Sequence, residues 1–334
     1  MKKILVLGGT GAMGVYLVPK LIERGYAVDV ASLDKVESEV PNLRYFTGDC
    51  FDIDYVSGLL KNGYDGIVDF MIYNQDKFEK RHKMFLDNTS HYIYLSTYRI
   101  YANEEHPVKE TSPRLLDVSA DEAFLATDDY SLYKAKGEDV LLGSSYKNWT
   151  AIRPAITYSK RRFQLVTLEA PNVVKRALNG KKVVLPKEAK DVKATMSWAG
   201  DVAEMIARLL FNEKAYREIF TVSTAEHMTW GEVADIYKEL IGLEAVWVDA
   251  VDYVNILSQN KPIPNGNWYQ LIYDRLFDRV MDNSKILGVT GMKQSELTGL
   301  YDGLKRELAG VTAETFKYGP SSELMDAYLA EKGL

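Results

Sequence analysis

The stretch "KKILVLGGTGAMGVYLVPKLIERGYAVDVASLD", residues 2–34, constrains the fold more than any other part of the chain. Residues 3–7 are an apolar run of the kind found in a strand covered on both faces. Glycines follow at 8, 11 and 14. Val15, Leu17, Val18, Leu21 and Ile22 then recur at helical spacing until Gly25 ends the helix, and Val28 to Ala31 resume a strand. The order is strand, glycine turn, helix, strand. In that frame Gly8 permits the tight turn, Gly11 lets the backbone approach a pyrophosphate on the helix N-terminus, and Gly14 lets the helix pack closely. Ala12 and Met13 belong to the same turn. The chain reads as a dinucleotide binder.

Further strands follow. "LRYFTGD" ends at Asp49, "DGIVDFMIY" and "HYIYLST" come next, and "AIRPAITY", residues 151–158, is interrupted after Arg153 by Pro154. Strands alternating with helices predict an α/β fold with a doubly wound parallel sheet, whose ligands gather at the carboxyl ends of its strands. That rim collects Gly8 to Gly14, Asp49 and Cys50, Phe70 and Met71, Thr97, and Pro154 with Ile156. At the tip of the second strand stand Ser32, Asp34 and Lys35. Asp34 favours NAD, binding ribose hydroxyls and repelling a 2′-phosphate, whereas Ser32 with Lys35 suits the phosphate of NADP. The balance leans to NAD and leaves NADP open. Asp49 reads equally as an acceptor for an adenine amino group and as a solvated loop acid.

"DDYSLYKAKGED", residues 128–139, carries the chemistry. Tyr130 and Lys134 are one helical turn apart and face the same way. A tyrosine hydroxyl titrates near 10, and an adjacent ammonium lowers that value, so the tyrosine becomes an acid/base for a substrate alcohol or carbonyl. Lys134 also reaches for the nicotinamide ribose, and Thr97 orients the substrate oxygen. Tyr133 lacks a cation at the matching spacing and is assigned to packing.

Composition limits the alternatives. Lys and Arg total 41 against 47 Asp and Glu, a formal charge of −6 that suits a phosphate backbone poorly. One cysteine excludes an internal disulfide, and the N-terminal apolar run is too short for a signal sequence. The four histidines show no metal-ligand spacing, so no metal is expected. A cytoplasmic protein is expected, with no membrane segment.

The constellation resembles the short-chain dehydrogenase/reductase superfamily, in its extended branch of nucleotide-sugar epimerases and dehydratases. The resembling pieces are "GGTGAMG", "GDCFD", "LSTYRIY", "YSLYK", "RPAITY", "AGDVAEMI" and "DNSKILG", in the family's order over about the first 300 residues. The resemblance implies the Ser/Thr–Tyr–Lys roles for Thr97, Tyr130 and Lys134, pyrophosphate binding by Gly8, Gly11 and Gly14, and an adenine contact for Asp49. It departs from the dehydratases, which carry Asp-Glu after the threonine where this chain has Tyr98-Arg99. The short segment before "HYIYLST" looks closer to the atypical subgroup that includes the chloroplast stem-loop RNA-binding proteins.

The resemblance implies an NAD(P)-dependent epimerase or reductase acting on a nucleotide-sugar or similar hydroxylated molecule, as monomer or homodimer. The alternative is a non-catalytic NAD(P)-binding regulator or an RNA-binding relative. The expected domains are a Rossmann unit over 1–160, joined by elements of 196–225, and a mixed substrate-binding unit over 161–334. In the second half Arg161, Arg162, Lys181 and Lys182 are candidates for a diphosphate, and the loop "NKPIPNGNWYQL" is a candidate cover for the pocket.

Overall fold

A computed structural model describes all residues, 1–334. Six strands rise in the first half: β1 (Lys3–Leu7), β2 (Ala27–Ser32), β3 (Leu43–Thr47), β4 (Gly66–Asp69), β5 (His91–Leu95) and β6 (Trp149–Pro154). With the Glu218–Val222 strand they form one seven-stranded sheet. From one edge to the other the order is Glu218–Val222, β6, β5, β4, β1, β2, β3, and every pair is parallel. The chain starts in the middle, builds outward to β3, and returns to build the other way from β4. The reversal opens a crevice at the carboxyl ends of β1 and β4, where ligands of doubly wound sheets bind.

Each strand is short and apolar because both faces are covered. One face packs Ile4, Val6, Val28, Val68 and Ile93 against helix α1 (Gly14–Glu23) and the Ala199–Leu209 helix. The other packs Leu5, Leu7, Ile67, Tyr92 and Tyr94 against Phe78, Phe85 and Leu141. The Tyr130–Gly143 helix lies on this second face. Asp129 caps it, its Oδ1 accepting from Ser131 N at 2.8 Å.

"AIRPAITY" is two strands, not one. Trp149–Pro154 belongs to the main sheet, while Ile156–Tyr158 pairs with Lys193–Trp198 in a smaller three-stranded sheet completed by His227–Thr229. Chain continuity at Ala155 therefore carries the backbone from the main sheet into the C-terminal layer. That layer has the largest core, including Phe163, Val183, Leu185, Trp230, Tyr253 and Leu304. Thr229 starts the Trp230–Ile241 helix with a capping box made with Glu232.

Candidate active site

A cleft of about 600 Å³ opens between the main sheet and the C-terminal layer. Its first wall is the glycine turn. Gly8 sits at φ +71°, a conformation that L side chains disfavour, and a Cβ on Gly14 would lie 2.2 Å from the Gly9 carbonyl oxygen. The turn folds tightly because these positions carry no side chain. Helix α1 then begins with no side-chain cap, and the amides of Ala12, Met13 and Gly14 donate to no backbone carbonyl. Gly11 to Gly14 line the cleft, so these unused N–H groups form an anion-binding end where a pyrophosphate fits.

Gly8, Gly11, Ala12, Met13, Gly14, Phe70, Thr97, Tyr130, Pro154 and Ile156 all line this cleft. Ser32, Asp34, Asp49, Cys50, Met71 and Lys134 do not. Ser32 and Asp34 stand at the tip of β2. Ser32 Oγ is engaged inside the turn, accepting from Asp34 N at 3.2 Å, whereas the exposed Asp34 carboxylate makes no hydrogen bond. The acid, rather than the serine, is free to receive ribose hydroxyls. Asp49 is exposed, with Oδ1 accepting from Phe51 N at 2.8 Å. Cys50 is buried, and burial pushes its thiol up to about 11.

Thr97 and Tyr130 come together from two elements. Thr97 follows β5, 5 % exposed, and its Oγ1 accepts from Arg99 N at 3.2 Å, capping the short turn at Tyr98–Ile100. Tyr130 opens the Tyr130–Gly143 helix and stands half-buried in the cleft wall. Burial raises its hydroxyl above the ordinary tyrosine value; the Arg99 and Arg162 guanidiniums and the Thr97 hydroxyl oppose that rise. Tyr133 packs edge-on against Tyr130, ring centroids 5.5 Å apart.

Lys134 differs from the expectation that it tunes Tyr130 by direct approach. It is fully buried, its Nζ lies 5.9 Å from the Tyr130 ring centroid, and it donates to Leu95 O at 2.5 Å and Met71 O at 3.4 Å. Burial lowers its pKa, while Asp69 and Glu138 pull it back up. Asp69, 1 % exposed, is raised by burial and accepts from Tyr92 Oη at 2.8 Å and Met71 N at 2.9 Å. The cations that lower the Tyr130 pKa are Arg99 and Arg162.

The C-terminal wall holds what sequence reasoning missed. Gln164, Glu169, Gln270 and Arg275 line the cleft beside Arg162. Arg275 and Asp274 come from a wide helical turn, Leu271–Arg275, directly after the Pro/Gly/Asn loop. Asp274 is fully buried and gathers Arg99, Arg275 and Arg279 around it. No periodicity marks this site; Asp274, followed by arginines one and five residues on in "YDRLFDR", is the only local sign. Of the four cations proposed for a diphosphate, only Arg162 reaches the cleft. Arg161 is exposed, Lys181 pairs with Asp326 at 2.5 Å, and Lys182 lines a separate surface pocket. The loop does flank the site: Pro264 to Gly266 and Tyr269 line a side cavity next to Arg99, Tyr130 and Tyr133.

The NAD dependent epimerase/dehydratase family model matches residues 4–222. The chain belongs to that family. The match spans the whole glycine turn, Thr97, Tyr130 and the main sheet through its last strand. A curated relative is the chloroplast stem-loop binding protein of 41 kDa b of Arabidopsis thaliana, 26 % identical over 249 residues. The match covers 70 % of this chain but only 61 % of that relative's length. Among solved structures, the epimerase Mth375 of Methanothermobacter thermautotrophicus is 16 % identical with a TM-score of 0.68, over 99 % of this chain and 94 % of that one. The UDP-glucose 4-epimerase of Thermus thermophilus, in complex with NAD, is 20 % identical with a TM-score of 0.67, over 93 % of this chain and all (100 %) of that one. These likenesses establish the fold, and the family is NAD-dependent. The glycine turn and the free Asp34 carboxylate fit that cofactor. No helix is long and apolar enough to cross a membrane, and no cluster of three or more His, Cys, Asp or Glu could hold a metal ion.

Proposed function

We propose that the chain is an NAD-dependent enzyme that oxidises, and in the reverse step reduces, a hydroxyl-bearing carbon of a nucleotide-linked sugar, with Tyr130 as acid/base. One observation carries the reading: Tyr130 and Thr97 stand side by side in the same cleft as the glycine turn. Bound NAD supplies a hydride acceptor at its nicotinamide. The amides of Ala12, Met13 and Gly14 would hold its pyrophosphate and Asp34 its ribose hydroxyls.

Thr97 Oγ1 keeps a lone pair and a proton beyond the bond from Arg99 N, enough to orient a substrate hydroxyl toward Tyr130. Tyr130 takes the hydroxyl proton as the carbon loses its hydride, and returns it to the oxygen in the reverse step. Its raised pKa keeps Tyr130 protonated at neutral pH, the form that returns a proton in the reductive direction, while the Arg99 and Arg162 charges oppose the rise and favour the tyrosinate that the oxidative direction needs. Lys134, bonded to Leu95 O and Met71 O, fixes the backbone just after β4 and at the end of β5, behind the cleft wall. Position 99 carries a cation, so no acid sits there to drive loss of water, and we favour epimerisation or reduction over dehydration. The test is reduction of bound NAD when UDP-sugars are added, read by nicotinamide absorbance in wild type and Tyr130→Phe.

A second reading, binding of structured RNA, is favoured only by the likeness to the stem-loop binding protein. The charge of −6 opposes it. Tight, salt-sensitive retention of a stem-loop RNA in a filter assay would support it.

A further inference from the structure

Arg99 is the least satisfied charge of the cleft. Its side chain is 13 % exposed, it lines the cleft two residues beyond Thr97, and its guanidinium lies 5.3 Å from the Tyr130 ring centroid. Asp129 at 3.6 Å and Asp274 at 3.3 Å neutralise it. Yet its buried Nε has no hydrogen-bond partner, and none of its other side-chain donors makes a hydrogen bond within the protein.

Its neighbours explain why. Asp274 already accepts from Tyr98 Oη at 3.0 Å, from Arg275, and from Arg279 Nε at 3.2 Å. Asp129 Oδ1 is engaged as a helix cap, accepting from Ser131 N at 2.8 Å and Ser131 Oγ at 2.7 Å. Arg275 and Arg279, by contrast, direct their donors to Val166 O at 2.7 Å and Tyr101 O at 3.0 Å. Arg99 alone among these arginines makes no hydrogen bond from its side chain: its Nε is buried toward Asp274, and its residue lines the cleft that Tyr130 lines, with the outer N–H groups of the fork lacking a directed acceptor.

We propose that the substrate carries a carboxylate on the carbon next to its reacting hydroxyl, and that Arg99 receives it as a two-oxygen acceptor. The inference rests on the reading of Tyr130 as the acid/base. Arg99 stands against the Tyr130 ring, so a group held by its fork is a neighbour of the hydroxyl held by Tyr130 and Thr97. A carboxylate matches the spacing of two guanidinium N–H groups and supplies the directed acceptors that Asp129 and Asp274 do not. A hydroxymethyl in its place offers one weak acceptor and leaves the fork unpaired, the situation in which a polar site rejects an analogue strongly. In a nucleotide-linked hexose the description fits a uronic acid, whose carboxylate-bearing carbon adjoins the carbon with the 4-hydroxyl.

The test compares equilibrium binding of UDP-glucuronic acid and UDP-glucose to the NAD-loaded full chain, in wild type, Arg99→Met and Arg99→Lys. Wild type should hold the uronate about 100-fold more tightly. Arg99→Met should collapse that ratio to near unity, and Arg99→Lys should restore only part of it, since an ammonium keeps the charge but loses the fork. Equal affinities in wild type, a ratio unchanged in Arg99→Met, or binding of neither sugar would each overturn the inference. The first and last need no variant, so a misfolded Arg99→Met leaves the test decisive. Preferential binding of the uronate without reduction of NAD would sustain the inference and overturn the Tyr130 reading instead.

Discussion

Arg153 on β6 and Glu138 on the Tyr130–Gly143 helix form a buried, two-pronged ion pair, with Arg153 Nε and Nη2 donating to the two carboxylate oxygens at 2.8 and 2.7 Å. Both residues are at most 2 % exposed. The pair fixes the helix that carries Tyr130 and Lys134 to the strand whose end, Pro154, lines the cleft. Arg153 Nη1 also donates to Tyr101 Oη and Glu110 O, so four of its five N–H groups are directed. Removing one partner leaves a buried charge unmatched. Glu138→Ala should therefore cost about 3–5 kcal/mol of stability, measured by chemical denaturation. A change below about 1 kcal/mol would show that the pair is not what holds the helix.

The glycine turn makes a separate prediction. A Cβ at position 14 meets the Gly9 carbonyl at 2.2 Å, which backbone cannot yield without opening the turn. Gly14→Ala should weaken NAD binding by at least about tenfold, a loss of roughly 1.4 kcal/mol, in a titration of the full chain. Unaltered affinity would mean that the turn does not hold the pyrophosphate.

We propose that the tip of β2 sets the choice of cofactor. Asp34 presents an exposed carboxylate that repels a 2′-phosphate, while Ser32 is engaged in the turn. Asp34→Ser should lower NAD affinity and raise NADP affinity, moving the ratio by about tenfold or more toward NADP. Parallel titrations with the two nucleotides decide it, and an unmoved ratio excludes Asp34 as the selector.

We assign the alkaline limb of the pH–rate profile to loss of the Lys134 ammonium, which holds the Leu95 and Met71 carbonyls behind the cleft and is supported by Asp69. Burial depresses the Lys134 pKa, so its ammonium exists below that value and is lost as pH rises through it, earlier than for an ordinary lysine. Asp69 is the larger of the two charges that raise the Lys134 pKa. Asp69→Asn should therefore move the alkaline limb of the pH–rate profile to lower pH, because the ammonium loses its main support. Movement to higher pH would contradict the assignment of the limb to Lys134.

The parts of the site legible in the sequence are those encoded locally. Gly8, Gly11 and Gly14 are read from spacing because a turn between strand and helix needs them within seven residues of chain. Thr97 and Tyr130 are read because each sits at the end of a regular element. The doubly wound parallel sheet follows from alternation of strands and helices, although the split at Ala155 does not: Pro154 marks a break in "AIRPAITY", but nothing in the run shows that its halves join different sheets. The C-terminal wall is illegible for a different reason. Arg275 and Gln270 reach the cleft through a wide turn after an irregular loop, and Asp274 matters only because Arg99, 175 positions earlier, folds beside it. Long-range charge pairing leaves no period to read. The burial of Lys134 is likewise not legible, because helical spacing fixes which residues share a face, not which of them is buried behind it.

The central claim is that Tyr130 moves the substrate proton while hydride passes to the nicotinamide. Its most direct test is single-turnover reduction of NAD bound to the full chain, on addition of UDP-glucuronic acid and UDP-glucose, in wild type and Tyr130→Phe. The account expects wild type to reduce the bound cofactor and Tyr130→Phe to do so at least about 1,000-fold more slowly, within the range for loss of a general acid/base, with NAD affinity nearly intact. A Tyr130→Phe protein that reduces NAD at the wild-type rate would contradict it.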